Sequence, residues 1–335
     1  MKVVIAYKNF AANRSISHIG LGVSALNTAK CLRRAGIKTE VWPILSAQDL
    51  RRSLLAAGDV THVVISAPWI PSADLQSLTL DHPDVTFAVN CHSNVGFLQA
   101  DPDGMRLFGE GMEIERGSYN FHVAGNGRKF VSWVRSTFGV PCAHLPNLYF
   151  LDEHVPAHRP EFGGGLLRIG AFGATRQLKN LMSAGGAALT ISRALDVDLE
   201  FWINSGRIEG GGSVVRSIKE MFGVTRHAKV VEAGWQSWHN HRKTVSKMDL
   251  MIQCSYTESF NMVTADGVAE GVASVVSDAI DWTPQHWRAQ VDEVLDIARV
   301  GRYLLSDPNS GAEGLEALTK HNDVGLAEWG RYLAQ

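Results

Sequence analysis

Short apolar runs alternate with longer amphipathic stretches along most of the 335-residue chain. In the first half, strand-like runs fall at residues 3–7, 40–44, 62–67, 85–91, 120–124 and 143–148. Helix-like segments lie between them. In 23–35, for instance, Ala25, Leu26, Ala29 and Leu32 are predicted to share one face. The rhythm resumes at 167–172 and continues through 199–204, 230–233, 250–256 and 274–277. This alternation predicts parallel sheets with helices on both faces. Two such blocks predict an α/β fold of two doubly wound, Rossmann-like domains. The stretch 151–165 is polar, holds Pro156 and Pro160, and ends in Gly163-Gly164-Gly165, which reads as a linker. The expected domains are therefore 1–155 and 166–335, with the last helix packing back on the first domain. Ligands of such sheets bind beyond the carboxyl ends of the strands, so the site is expected in a cleft between the two domains.

Composition narrows the class. With 45% hydrophobic and 20% charged residues, the chain reads as a globular protein of two-domain size. No apolar run reaches the ~18–20 residues of a membrane span. Met1 leads directly into a strand-like run rather than a signal peptide. Cys31, Cys91, Cys142 and Cys254 are scattered and match neither a disulfide framework nor a C-x-x-C metal spacing. A reducing, cytoplasmic setting is expected, in a cell or a virus-infected cell. Collagen-like, disulfide-stapled and channel-forming classes are excluded. Charge is unevenly spread, since the first 52 residues carry nine Lys or Arg against Glu40 and Asp49 alone. Two readings stand: an electropositive face for an anionic partner, or the solvated faces of two helices.

Several motifs carry possible chemistry. Gly20-Leu21-Gly22-Val23-Ser24-Ala25 fits G-x-G-x-x-A, with Glu40 about where a ribose-binding acid belongs. That would make the chain an NAD-dependent oxidoreductase. However, Lys8 to Ile19 separates the motif from the first strand, whereas the fingerprint follows its strand directly. The better reading is a glycine loop opening a helix, where a ligand approaches the backbone closely. Asp196-Val197-Asp198 could hold a divalent cation but reads as an ordinary acidic turn before a strand. His154 and His158 are separated by Pro156, which forbids a helical metal pair. His239 and His241 follow Trp235 and Trp238 with no acidic cluster nearby in sequence. No metal site is expected, and no hydrolase elbow, zincin or P-loop motif occurs.

The strongest signal runs from Ser255 to Ser277. It reads as a strand end, a polar loop, a helix beginning near Asn261 and a further buried strand. Free amides at that helix start suit a diphosphate. Glu258 in the loop and Asp266 in the helix could grip hydroxyls of one elongated ligand. Alternatively, Glu258 caps the helix and Asp266 is a solvated helix residue.

This segment resembles the donor-binding signature of the GT-B glycosyltransferases, specifically the retaining group known as family four, E-S/G-F-G-x-x-x-x-E-A-x-A-x-G-x-P-V-V. Glu258-Ser259-Phe260 matches its first part and Ala269-Glu270-Gly271 the later turn. Asn261, Asp266 and Ala273 stand where the pattern has Gly, Glu and Pro. The resemblance extends to Gly20-Leu21-Gly22, Asn90-Cys91-His92-Ser93, Pro146-Asn147, and Ile169 to Gly173 followed by Lys179-Asn180, with Arg176 as a second basic candidate.

The resemblance implies a retaining glycosyltransferase moving a hexose or pentose from a nucleotide sugar, a UDP- or GDP-sugar, to a hydroxyl acceptor, with no cofactor or metal. Its catalytic residues would be His92, Glu258, Lys179 and Arg176. The donor would be held by Gly20, Gly22, Gly173, Ser259, Phe260, Asn261, Met262 and Asp266, with Asp266 on the ribose. The acceptor is left open, with DNA bearing hydroxymethylated pyrimidines and a membrane-surface glycan as the anionic candidates. Trp69 is read either as a platform for a base or sugar or as a core residue. No stable protein partner is expected.

Overall fold

A computed structural model describes residues 1–9, 19–151, 162–206, 212–234 and 236–335, and counts below refer to these. Arg14, His154, His158 and Trp235 lie outside them. The chain divides into two compact units, Met1–Phe150 with His321–Gln335, and Leu151–Lys320.

In the first unit six parallel strands form one sheet: β1 (Lys2–Lys8), β2 (Lys38–Ile44), β3 (His62–Ser66), β4 (Thr86–Cys91), β5 (Phe121–Gly125) and β6 (Ala143–His144). Their order is β2-β1-β3-β4-β5-β6. The connecting helices are α1 (Ile19–Arg34), α2 (Ala47–Ala57), α3 (Ser72–Asp81), α4 (Val95–Leu98), α5 (Pro102–Gly117) and α6 (Arg128–Phe138). Both faces of the sheet are covered. Val4 and Ala6 of β1 face one apolar cluster with Leu50, Leu78 and Phe87, while Val3 and Ile5 face another with Ala25, Ala29, Leu32 and Trp329. That double burial is why the strands read as continuous apolar runs.

The second unit holds β7 (Leu166–Ala171), β8 (Asp198–Asn204), β9 (Ala228–Ala233), β10 (Leu250–Gln253) and β11 (Ser274–Val276), parallel in the order β11-β10-β7-β8-β9. Its helices are α7 (Leu181–Leu195), α8 (Gly212–Gly223), α9 (Trp238–Val245), α10 (Met262–Ala269) and α11 (Val294–Ser306). Helix α12 (Ser310–Leu333) begins in this unit and ends in the first. Strand order reverses between β7 and β10, which are hydrogen-bonded neighbours. The crevice beyond the carboxyl ends of those two strands is the switch point where ligands of such sheets bind.

Three sequence expectations need correction. Residues 145–148 are not strand: β6 stops at His144, the Leu145 amide still reaches the Gly125 carbonyl of β5, and beyond it the chain is held by side chains. Asn27 Oδ1 accepts from the Phe150 amide, Thr28 Oγ1 from the Leu148 amide, and Asn147 Oδ1 from Ser24 Oγ at 2.7 Å. From the other side Asn322 of α12 bonds both the N–H and the C=O of Tyr149, at 2.9 and 2.7 Å. Helix α1 therefore buries the polar residues Ser24, Asn27 and Thr28. Leu26, expected on its apolar face, is 44% exposed, because it sits about 100° round the helix from Ala25. Finally, 254–256 leave the sheet, so the loop before α10 starts at Cys254.

Candidate functional site

The second unit gathers most of the expected donor residues at its switch point. Strand β7 ends at Ala171, and the chain turns at Gly173 with φ +111°, a backbone geometry that favours glycine. A Cβ there would stand 3.7 Å from Lys179 Cε and 3.8 Å from Val263, so this turn touches both neighbouring loops. Asn204, at the end of β8, fixes the turn: its Oδ1 accepts from the Gly173 amide and its C=O from Thr175 Oγ1. Arg176 follows, half-buried, then a single 3-10 turn over Gln177–Lys179. Asn180 (φ +54°) ends that turn and donates to the carbonyls of Cys254 and Val291, tying the loop to the end of β10.

Across the crevice, Glu258 forms an ion pair with Lys179. Both side chains are largely buried, 13% and 17% exposed, so the pair is only partly screened by solvent. Glu258 does not cap the helix. Asn261 caps α10: its Oδ1 accepts from the Thr264 amide at 2.9 Å. Asn261 has φ +63°, which explains how Asn replaces the Gly of the family pattern, since Asn tolerates the left-handed region better than other non-glycine residues. The amides at this helix start, including Met262 and Val263, have no acceptor within the helix itself. Phe260 is buried, stacked on Trp282 at 5.5 Å, and its C=O accepts from the Trp282 indole N–H; Ser259 beside it is half-buried. Gln253 joins the two loops, accepting from Asn261 Nδ2 and donating to the Phe172 carbonyl.

Asp266 is not a solvated helix residue. It is 3% exposed, and its Oδ1 accepts from the Trp238 indole N–H at 2.8 Å. His241 Nε2 lies 3.8 Å from Oδ2. Burial holds the His241 pKa down to about 4, so the ring is neutral near pH 7. Trp238 and His241 were read only as part of a polar connection without acidic neighbours, and Gln253 and Asn204 were not singled out, because the roles of all four depend on neighbours distant in sequence. Only the position of Asn204 at a strand end gave a signal.

The first unit places its expected residues differently. Gly20 and Gly22 lie in the first turn of α1, not in a loop before it. Gly22 leaves room for the Tyr7 ring, which a Cβ would meet at 3.2 Å, so packing accounts for that glycine. Glu40 is paired with Lys2 at 2.9 Å and accepts from the Trp42 indole, so it is committed elsewhere than to a ribose. These two facts remove the dinucleotide fingerprint. His92 follows the carboxyl end of β4, with its Nδ1 3.4 Å from Asn126 Nδ2. Burial lowers its pKa to about 4. Trp69 is partly buried against the core, with Lys8 Nζ 5.7 Å from its ring.

Four of the nine basic residues of the N-terminal stretch are in ion pairs. Lys2 and Lys38 bind Asp59, Arg51 binds Asp81 and Arg52 binds Asp49, while Lys30 and Arg34 flank Phe150. Asp196 precedes β8 and Asp198 is its first residue, and both line a cavity of about 1030 Å³ with Arg226 and His227. The loops carrying Lys179 and Glu258 leave the opposite ends of the strands, so this acidic pair belongs to another region. Among the described residues one further group, His286, Asp307 and Glu313, holds potential ligand atoms within 4.8 Å of one another, on elements outside the donor loops. No described helix is long and apolar enough to cross a membrane.

No protein-family model matches the sequence, and no curated protein matches it. Solved structures do match, and the fold they define is that of the GT-B glycosyltransferases. A glycosyltransferase from Rickettsia africae aligns with TM-score 0.65 at 10% identity, covering 99% of this chain and 97% of its own. A UDP-forming trehalose-phosphate synthase from Burkholderia xenovorans gives 0.65 at 12%, with 98% of each chain covered. Staphylococcus aureus TarM, solved with UDP and α-GlcNAc-glycerol, gives 0.58 at 12% over 80% of this chain, which spans 55% of TarM's length.

Proposed function

We propose that the protein is a retaining glycosyltransferase that takes a sugar from a nucleoside-diphosphate donor, a UDP- or GDP-sugar, and passes it to a hydroxyl acceptor. The observation that carries this reading is the meeting of Lys179, Glu258, the Gly173 turn and the amino end of α10 at the switch point between β7 and β10. The fold shared with nucleotide-sugar enzymes supports it.

Cleaving the bond between sugar and diphosphate leaves an oxocarbenium-like sugar and a leaving group of growing negative charge. Cations and helix-end amides fixed in advance stabilise that charge without reorganising in the transition state. Lys179, Arg176 and the α10 amides take this role at the diphosphate, so the counter-charge comes from the protein rather than from a metal ion. Glu258 holds Lys179 in place and accepts from hydroxyls of the transferring sugar. Asp266 takes the ribose. His92, neutral at pH 7, accepts or donates one hydrogen bond on the acceptor side. Retention follows if the departing phosphate oxygen takes the proton of the attacking hydroxyl. Four of the nine basic residues of the first 52 are held in ion pairs within the chain, so that stretch lends a polyanionic acceptor little support, and the acceptor stays open.

The test is turnover. Incubation with α-linked UDP- and GDP-sugars and a panel of hydroxyl acceptors should release nucleoside diphosphate, and NMR of the product should show an α linkage. A β-linked product contradicts retention. Absence of release with every donor, with the protein folded, contradicts transfer.

A further inference from the structure

Away from the loops that carry Lys179 and Glu258, the second unit gathers three metal-ligating side chains at the corner between α11 and α12. His286 stands in a 3-10 turn over Gln285–Trp287, Asp307 directly follows α11, and Glu313 lies in the first turn of α12. Their ligand atoms, one imidazole nitrogen and two carboxylate oxygens, all lie within 4.8 Å of one another. No motif spacing marks the group, because its members come from separate elements.

The group is held in place from behind. The fully buried Trp287 ring packs on Gly314, where a Cβ would meet it at 2.5 Å, so the 3-10 turn lies directly against the start of α12. The adjoining residues, His286 and Glu313, are thereby set opposite each other, with Nε2 2.7 Å from Oε2. The His286 ring stands edge-on to Tyr303 of α11 at 5.7 Å, which fixes its plane. Asp307 is oriented by its own turn, Oδ1 accepting from the Asn309 amide at 2.9 Å. The Asp307 charge, then desolvation and the Glu313 charge, hold the Tyr303 phenol above its ordinary pKa, so both carboxylates lie near one hydroxyl. Among the described residues neither carboxylate pairs with a Lys or Arg, and two negative charges converge on one imidazole.

Ligand atoms on one ion at ~2.0–2.2 Å stand roughly 3–3.6 Å apart. His286 and Glu313 are already near that spacing. Their side chains are 41% and 37% exposed, so rotation of Glu313 lets the set close on an ion arriving from solvent. The ring offers Nε2 when its proton sits on Nδ1. One nitrogen with two carboxylates suits zinc, cobalt or manganese, whereas calcium and magnesium take oxygen ligands.

We propose that His286, Asp307 and Glu313 bind a divalent transition-metal ion, with water completing its coordination, and that the ion staples the 3-10 turn to the α11–α12 corner. The site is structural and independent of the proposed transfer reaction.

The experiment is calorimetric titration of the full chain, treated with a chelator and desalted, with Zn²⁺ alone and with Zn²⁺ in excess Mg²⁺. The wild type should bind Zn²⁺, Mg²⁺ should not displace it, and the melting temperature should rise by a few degrees at saturation. His286→Gln and Asp307→Asn should each weaken binding at least tenfold and abolish the rise. Melting curves without metal establish that each variant is folded, and Glu313→Gln serves where His286→Gln is not. Absence of Zn²⁺ binding, displacement by Mg²⁺, affinity unchanged in the variants, or a melting temperature indifferent to Zn²⁺ overturns the inference.

Discussion

Lys179 and Glu258, separated by 79 positions, meet as an ion pair because β7 and β10 are neighbours and each sends its following loop into one crevice. The pair is mostly buried, so neither charge can be removed without stranding the other. Lys179→Ala should lower kcat/KM for transfer by ~10²–10³, the usual loss when a fixed charge-stabilising group is removed. Glu258→Gln should also lose most activity. Because the two act as a unit, the double variant should be little worse than the poorer single one. Steady-state kinetics on the three variants checks this, and additive losses would show that the residues act separately.

Asn261 does two jobs at once, occupying the left-handed region and capping α10. Asn261→Ala removes both and should cost about 1–2 kcal/mol. Asn261→Gly keeps the backbone freedom and should cost only a few tenths. Urea melts of the two variants separate the cap from the turn; the reverse order would mean that the link to Gln253 dominates.

Two buried histidines contribute to the loss of stability in acid. His92 and His241 both have folded pKa values near 4, below the unfolded value of ~6.5. The unfolded chain therefore binds protons that the folded chain does not as pH falls from about 6.5 to 4, and stability declines through that window. Each histidine contributes a loss of roughly 2–3 kcal/mol by pH 4. Above pH 7 both are neutral in either state and contribute no slope. His92→Gln should flatten the curve of melting temperature against pH between 6.5 and 4 while leaving the region above 7 unchanged in slope.

The segment after β6 is held by side chains rather than by the sheet. Asn322→Ala removes two bonds to Tyr149 and leaves buried backbone groups unpaired, so it should cost about 2–3 kcal/mol. Ser24→Ala, which loses one bond to Asn147, should cost about 1 kcal/mol. Chemical denaturation followed by tryptophan fluorescence distinguishes the two.

All eleven strands were legible as apolar runs, most plainly where both faces are buried, as in β1 and β3. Boundaries failed where side chains took over from the ladder. Residues 145–148 look like strand but owe their place largely to Asn90, Trp329, Ser24 and Thr28, side chains whose partners no periodicity marks. Gly20 and Gly22 suggested a phosphate loop; glycine reports only that a Cβ is unwelcome, and at Gly22 the reason is Tyr7. The local excess of basic residues suggested an anionic partner, yet Lys2, Lys38 and Arg51 are matched by acids that sequence distance conceals, and Arg52 by Asp49 one turn away. In the candidate site, Glu258, Lys179 and the α10 start were readable from one motif and the loop after β7. Trp238 and His241 were not, since only the packing of α9 on α10 brings them to Asp266.

The most direct measurement is calorimetric binding of UDP, GDP, ADP, CDP and NAD to the wild-type chain and to Lys179→Ala. At least one nucleoside diphosphate should bind the wild type, NAD should not, and the substitution should weaken the diphosphate at least tenfold. Binding of NAD alone, or diphosphate affinity indifferent to Lys179, would contradict the account.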